Sequence, residues 1–294
     1  EGMSIPAFKV MAATLWIAIW WMTEAIPIAA TSFLPLILYP IPNAVSLNEI
    51  APSYANPIIY IFVGGFILAL AMQKWNLHKR IALNIIAITG TNMRQIILGF
   101  ILATAFLSMW ISNTATAVMM LPIALSIITQ FKEFSDSSSI PVKGADDFGK
   151  ALILAIAYSA NVGGMATLIG TPPNAIFAAY MLEQHAIEID FATWMLIALP
   201  IVIVMLTCIW LVLVKILYPN NLHGVGCYRS LIQREIKSLG KIHRGERLVL
   251  VLFVLAGFLW ISRSTINGII GDYQLPMGAI SDAMIAIFVV ILMF

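Results

Sequence analysis

Two short polar stretches interrupt apolar sequence that carries no charge. Ser112-Asn113-Thr114-Ala115-Thr116 lies where no residue between Arg94 and Lys132 is charged, and Gly170-Thr171-Pro172-Pro173-Asn174 where none between Lys150 and Glu183 is. Hydroxyls, an amide oxygen and free main-chain carbonyls suit a hard cation such as sodium, which takes several oxygen ligands. An anion needs N–H donors instead. A helix starting after Thr114, or after Pro173, turns the positive end of its dipole toward the break. One place can therefore serve a cation and an anion together. Ser108 lies one helical turn before Ser112 and faces the same spot. The competing role for these hydroxyls is to satisfy local backbone groups in a packed hairpin.

The second stretch has its own physics. Gly170 lets the backbone turn and approach a ligand closely. Pro172 and Pro173 lack N–H groups and leave carbonyls of the preceding turn in need of a partner, for which an ion is one choice and a neighbouring helix another. Gly163-Gly164 and Gly64-Gly65 read as points of close helix packing.

The elements that must hold these residues follow from composition. The 294 residues are 61% hydrophobic and 10% charged, whereas soluble domains carry about 25% charged residues. This is an all-α polytopic membrane protein. Apolar segments fall at 8–23, 26–41, 57–73, 95–111, 115–131, 151–169, 174–182, 194–217, 247–262 and 277–294, against the roughly 20 residues a spanning helix needs. Pro27 breaks the chain between the first two. Segment 174–182 is too short to cross alone and joins 151–169 as one crossing broken at Gly170–Asn174. Hydrocarbon offers no partner to a broken backbone, so such breaks must be buried in protein or line a cavity.

Loop charge orients the chain. Stretch 74–94 holds Lys74, Lys79, Arg80 and Arg94 without an acid, and 215–247 is rich in Lys and Arg, whereas 183–190 holds Glu183, Glu188 and Asp190 without a base. The positive-inside rule puts the two basic stretches in the cytoplasm. Residues 95–131 then begin and end inside, as two full spans or as a re-entrant hairpin. The apolar surroundings of the polar tip favour the hairpin. In the linker, Ile232, Ile236 and Leu239 have the spacing of an amphipathic helix at the cytoplasmic surface. Residues 135–150, opening with Ser135-Asp136-Ser137-Ser138-Ser139, read as a loop.

Other residues carry less. Glu24, between two apolar segments, is a functional acid by default or an interfacial one. Cys208 and Cys227 read as free thiols, and no His, Cys or acidic spacing marks a metal or enzyme centre. There is no nucleotide-binding loop and no basic patch for nucleic acid.

Trp20-Trp21-Met22-Thr23-Glu24-Ala25-Ile26-Pro27, Gly64-Gly65-Phe66, Ser112-Asn113-Thr114-Ala115-Thr116 and Gly170-Thr171-Pro172-Pro173-Asn174, in this order, resemble the divalent anion:sodium symporters, which include sodium-coupled dicarboxylate and citrate carriers. The resemblance runs over essentially the whole chain. It implies two inverted repeats, each with a re-entrant hairpin and a broken helix, an elevator motion of a transport domain against a scaffold, and a homodimer in the bilayer. It further implies a first sodium site at Ser108, Ser112, Asn113 and Gly170. The first-repeat part of the anion site would be Asn113, Thr114 and Thr171. On this pattern residues 1–92 are mainly scaffold. Residues 93–182 are transport-domain elements, with the hairpin at 95–131 and the broken helix at 151–182. Residues 183–246 are a span and basic linker, and 247–294 start the second repeat. No second copy of either motif follows residue 174, so the chain reads as one repeat plus the start of another, with half of the anion site. The expected function is sodium-coupled symport of a divalent anion, most simply a dicarboxylate such as succinate, with sodium as coupling ion and no other cofactor. An anion exchanger, a sulfate carrier of the same fold and a passive anion channel are the alternatives.

Overall fold

The computed structural model describes residues 3–90, 92–137, 145–219, 227–273 and 278–294, and the regular elements among them are helices. The chain divides into two compact units, 1–59 and 60–294.

In the first unit α1 (Ile5–Thr23) starts at Ser4, whose hydroxyl accepts from the N–H of Ala7, and stops at Glu24 in the left-handed conformation. Glu24 is exposed and serves as that C-cap, so its position is explained by helix termination. The apolar segment 26–41 is not one helix. It forms two single turns, α2 (Ile28–Thr31) and α3 (Pro35–Leu38), because Pro27, Pro35 and Pro40 each remove an N–H donor. Phe33 stacks on Tyr54 at 6.1 Å, and the Tyr54 hydroxyl donates to the Ser32 carbonyl at 2.7 Å. A short α4 (Leu47–Ile50) is closed by the Ser46–Glu49 capping box.

The second unit is entered through α5 (Pro57–Lys74). Its glycines allow close approach, as their spacing predicts. A Cβ on Gly64 would stand 2.5 Å from the Cβ of Ala286, and one on Gly65 3.3 Å from Ile169. Next comes an element the loop reading of 74–94 misses: α6 (Leu77–Thr89), which buries Leu77, Ala82, Leu83 and Ile86. Helices α7 (Met93–Ser108), α8 (Asn113–Ser137) and α9 (Ala145–Gly164) pack on one another, α7 also on α6. At Gly163 a Cβ would lie 2.5 Å from the Cα and carbonyl oxygen of Ala105, so α7 and α9 touch backbone to backbone. Helices α8 and α9 also take in most of the expected loop 135–150, and residues 138–144 of it lie outside the described residues.

After α10 (Pro172–His185) and α11 (Phe191–Leu211), a wide turn at Val212–Leu217 leads to the linker. The expected amphipathic helix is α12 (Cys227–Ser238). It packs on α6 with Ile232 buried, and Lys79 pairs with Glu235 at 3.2 Å. Arg80 then fastens the junction. It pairs with buried Glu246 and donates to the carbonyls of Gly240 (3.1 Å) and Leu239 (3.4 Å). The chain continues in α13 (Arg244–Asp272) and α14 (Asp282–Ile291). Asn267 bonds the carbonyl and N–H of Ile280, at 2.9 and 2.8 Å. Among the described residues, five helical stretches are long and apolar enough to cross a membrane: Ile5–Thr23, Leu47–Lys74, Asn113–Lys132, Phe191–Leu217 and Arg244–Asp272. Helix α7, with 16 residues, falls short of that length.

Two expectations follow. Gly163→Ala forces apart helices that touch, and overpacking of this kind costs about 1–3 kcal/mol. Gly268→Ala meets nothing within 4 Å and should leave stability level or slightly improved. Thermal unfolding of the purified variants in detergent checks this, and equal midpoints would contradict the backbone contact. Glu246→Ala leaves the Arg80 guanidinium without its counter-charge and should cost about 3 kcal/mol, whereas Arg80→Met with Glu246→Leu should recover most of it. A single variant as stable as the parent would show that the junction does not depend on the pair.

Candidate functional site

The two polar interruptions meet. Helix α7 ends at Ser108 and α9 at Gly164, so the carbonyl-bearing ends of both come together, as the Gly163–Ala105 contact requires. Ser108 is fully buried. Its hydroxyl stands 2.6 Å from the carbonyl oxygen of Ala160 and 2.8 Å from Oδ1 of Asn113. A hydroxyl has one proton to give, so one of those two oxygens is left without it. Three oxygens thus converge at two negative dipole ends with one proton among them. That arrangement attracts a cation without a formal charge on the protein.

Asn113 opens α8, so its neighbourhood also holds a positive dipole end. Its amide nitrogen points the other way, 3.4 Å from Oδ1 of Asn161, an exposed side chain on α9. The sequence reading did not name Asn161. The signal was present, as an amide inside the apolar run 151–169. Gly164 sits between Asn113 and Gly170. A Cβ there would stand 2.2 Å from Asn113 Oδ1, and a Cβ on Gly170 would stand 2.3 Å from the Gly164 carbonyl oxygen. Gly164 therefore serves the site, while Gly163 serves packing.

The break in the second crossing is longer than the Gly-Thr-Pro-Pro-Asn stretch. Helix α9 stops at Gly164, and α10 resumes at Pro172 after half-buried Thr171, whose side chain makes no capping bond. The carbonyls freed there have protein partners. Asn174 donates to the carbonyl oxygens of Gly164 (2.9 Å) and Thr167 (2.7 Å). Thr167 in turn donates to the carbonyl of Met109, in the turn between α7 and α8, and accepts from the Gly170 N–H at 3.1 Å. Asn174 thus takes two carbonyls at the start of the break, Gly164 and Thr167, three or more residues before the prolines.

Of the residues singled out by sequence, Ser108 and Asn113 are bonded to each other, and Gly170 lies against Gly164, which itself abuts Asn113. Ser112 caps α8, its hydroxyl accepting from the Ala115 N–H at 3.4 Å. This is the local role weighed against ligation above. Thr114 is exposed, and among the described residues neither it nor Thr171 bonds to Ser108 or Asn113. None of these side chains titrates. Elsewhere a cavity of about 370 Å³ lies between α6, α8 and α12, lined by His78, Lys79, Met119, Ser126 and Glu235. Burial holds the His78 imidazole below its ordinary pKa, and Lys79 pushes the same way against the Met72 carbonyl.

Comparison with known proteins gives the same direction. The family described as "Sodium:sulfate symporter transmembrane region" matches residues 1–294. A sodium-dependent dicarboxylate transporter SdcS from Staphylococcus saprophyticus subsp. saprophyticus is 44% identical over 294 residues, covering 100% of this chain and 56% of that protein. The protein of the same name from Staphylococcus aureus (strain USA300) is 42% identical over 285 residues, covering 97% of this chain and 54% of its own length. The chain spans about half the length of the curated relatives it matches. Matched from its first residue to its last, this chain belongs to the sodium:sulfate symporter family, the divalent anion:sodium symporters whose motifs it carries.

Proposed function

We propose that the chain forms the first-repeat half of a sodium-coupled symporter for a divalent organic anion, a dicarboxylate such as succinate being the leading substrate. The observation that carries this reading is the oxygen cluster of Ser108, Asn113 and Ala160. Sodium binds there through Ser108, Ser112, Asn113 and Gly170. The anion is met by Asn113, Thr114 and Thr171 at the N-terminal ends of α8 and α10, where the dipoles favour negative charge. Asn113 is shared, its oxygen turned to the cation and its amide nitrogen to the anion side. Cation and anion thereby raise each other's affinity, which is the physical basis of coupling.

In this reading 95–131 is a re-entrant hairpin opening to the cytoplasm, supported by the shortness of α7, and 151–182 is the broken helix. Residues 1–92 are mainly scaffold, and 183–246 link the transport elements to a second repeat beginning at 247. Basic stretches 74–94 and 215–247 face the cytoplasm of the cell membrane. The complete protein is a homodimer moving by an elevator mechanism. The names of the relatives support a dicarboxylate. The description of the family keeps sulfate as the second reading.

In the full-length protein Asn113→Ala should abolish most sodium-driven succinate uptake while membrane insertion is unchanged. Loss of one buried hydrogen-bonding partner costs about 1–3 kcal/mol, roughly a five- to hundredfold fall in affinity. Uptake into proteoliposomes under an inward sodium gradient, with succinate, citrate and sulfate compared, checks both role and substrate. Near-normal uptake and sodium dependence in the variant would overturn the assignment.

A further inference from the structure

A second polar cluster lies outside the site and has no part in the function as read so far. Asp282 at the start of α14 is buried, its side chain 5% exposed. One carboxylate oxygen accepts from Nη1 of Arg263 (3.0 Å) and from the N–H of Phe191 (3.1 Å). Its main-chain oxygen accepts from the indole N–H of Trp260 at 3.1 Å. Arg263 also pairs with Glu188. A buried ion pair is a poor way to gain stability, since an apolar replacement often does as well or better. What such a pair does well is fix the groups it touches.

Those groups are aromatic and lead to the site. Phe191 and Trp260 stack on each other at 4.8 Å, and both stack on Trp110, at 6.0 and 6.3 Å. Phe253 meets the same ring edge-on at 4.7 Å. Trp110 stands two residues before Ser112, in the turn whose Met109 carbonyl is held by Thr167. The approach to Ser112–Thr114 is therefore held by Thr167 on one side and by the aromatic stack on the other.

We propose that Asp282 is a positioning residue for the Ser112–Thr114 turn, acting through Phe191, Trp260 and Trp110. By holding the backbone of Phe191 and the indole of Trp260, it sets two of the rings against which Trp110 rests. The turn then presents Asn113 to Ser108 in one orientation. Sites built this way keep their geometry because the residues behind them are locked. The inference rests on the sodium-symport reading for its transport arm alone.

The test uses the full-length protein in proteoliposomes. Asp282→Ala, which removes both the acceptor for Phe191 and the buried partner of Arg263, should raise the sodium concentration for half-maximal succinate uptake about tenfold, the size of one hydrogen bond weakened at the turn it positions. Asp282→Asn, which keeps an acceptor for Phe191, should recover most of that. Trp260→Phe, which keeps the stack and removes only the indole donor, should show a smaller rise and guards against an unfolded alanine variant. Asp282→Ala combined with Trp110→Phe should cost less than the sum of the two. A second arm needs no transport. With every native cysteine of the full-length protein replaced by alanine, Cys208 and Cys227 included, a cysteine introduced by Thr114→Cys should react severalfold faster with a membrane-impermeant maleimide when Asp282 is alanine. Lower maximal uptake with unchanged sodium dependence and unchanged labelling would make Asp282 merely structural and overturn the proposal. Absence of sodium-dependent uptake in the parent would count against the symport reading, while the labelling arm would still decide the positioning one.

Discussion

A helix that stops where it is buried among apolar side chains leaves its last carbonyls and its first N–H groups without partners, and those surroundings supply none. The whole region around the two polar interruptions is organised by that constraint. The turn after α7 gives its Met109 carbonyl to Thr167. The break after α9 gives its Gly164 and Thr167 carbonyls to Asn174. The first interruption leans on the second through Thr167, and the second is closed largely by its own Asn174. What is left over is one proton shared among Ser108, Asn113 and the Ala160 carbonyl. That meeting of one hydroxyl proton with two acceptor oxygens is the place proposed for sodium.

Glycine makes this possible. Helices α7 and α9 approach until backbone meets backbone at Gly163 and Ala105, and Gly164 gives Asn113 room beside the broken chain. Among the described residues, the side chains that bond at the site, Ser108, Asn113, Asn161, Thr167 and Asn174, carry no charge. Arg80 and Glu246 fasten the linker to α6, and Arg263, Asp282 and Glu188 fasten the start of α11 to α13 and α14. An uncharged site can hold a cation and release it. A carboxylate at the same spot would hold the cation more strongly and repel a dianion.

Much of this was legible in the sequence, for physical reasons. The apolar runs at 8–23, 57–73, 194–217 and 247–262 are helices because length and hydropathy suffice to specify a spanning helix. The polar tips were legible because hydroxyls and amides are conspicuous among uncharged apolar residues. The errors also have causes. Counting charge made 74–94 a loop, although Leu77, Ala82, Leu83 and Ile86 form the buried stripe of α6. Length alone could not show that three prolines cut 26–41 into single turns. Asn174 was read as part of a motif, and its pairing with Gly164 and Thr167 depends on where the break begins, which the prolines do not reveal. Trp110, Phe191 and Trp260 come from distant parts of the chain, and nothing local announces that they stack.

We propose sodium at Ser108, Ser112, Asn113 and Gly170, beside the point where Ser108 meets Asn113 and the Ala160 carbonyl. The most direct measurement is equilibrium binding of radioactive sodium to the purified full-length protein, in parent and Ser108→Ala forms. The account predicts saturable binding in the parent, displaced by unlabelled sodium and not by potassium, with the component due to this site missing in the variant while the protein remains folded. Equal sodium binding by the two proteins, or no saturable binding by the parent, would contradict it.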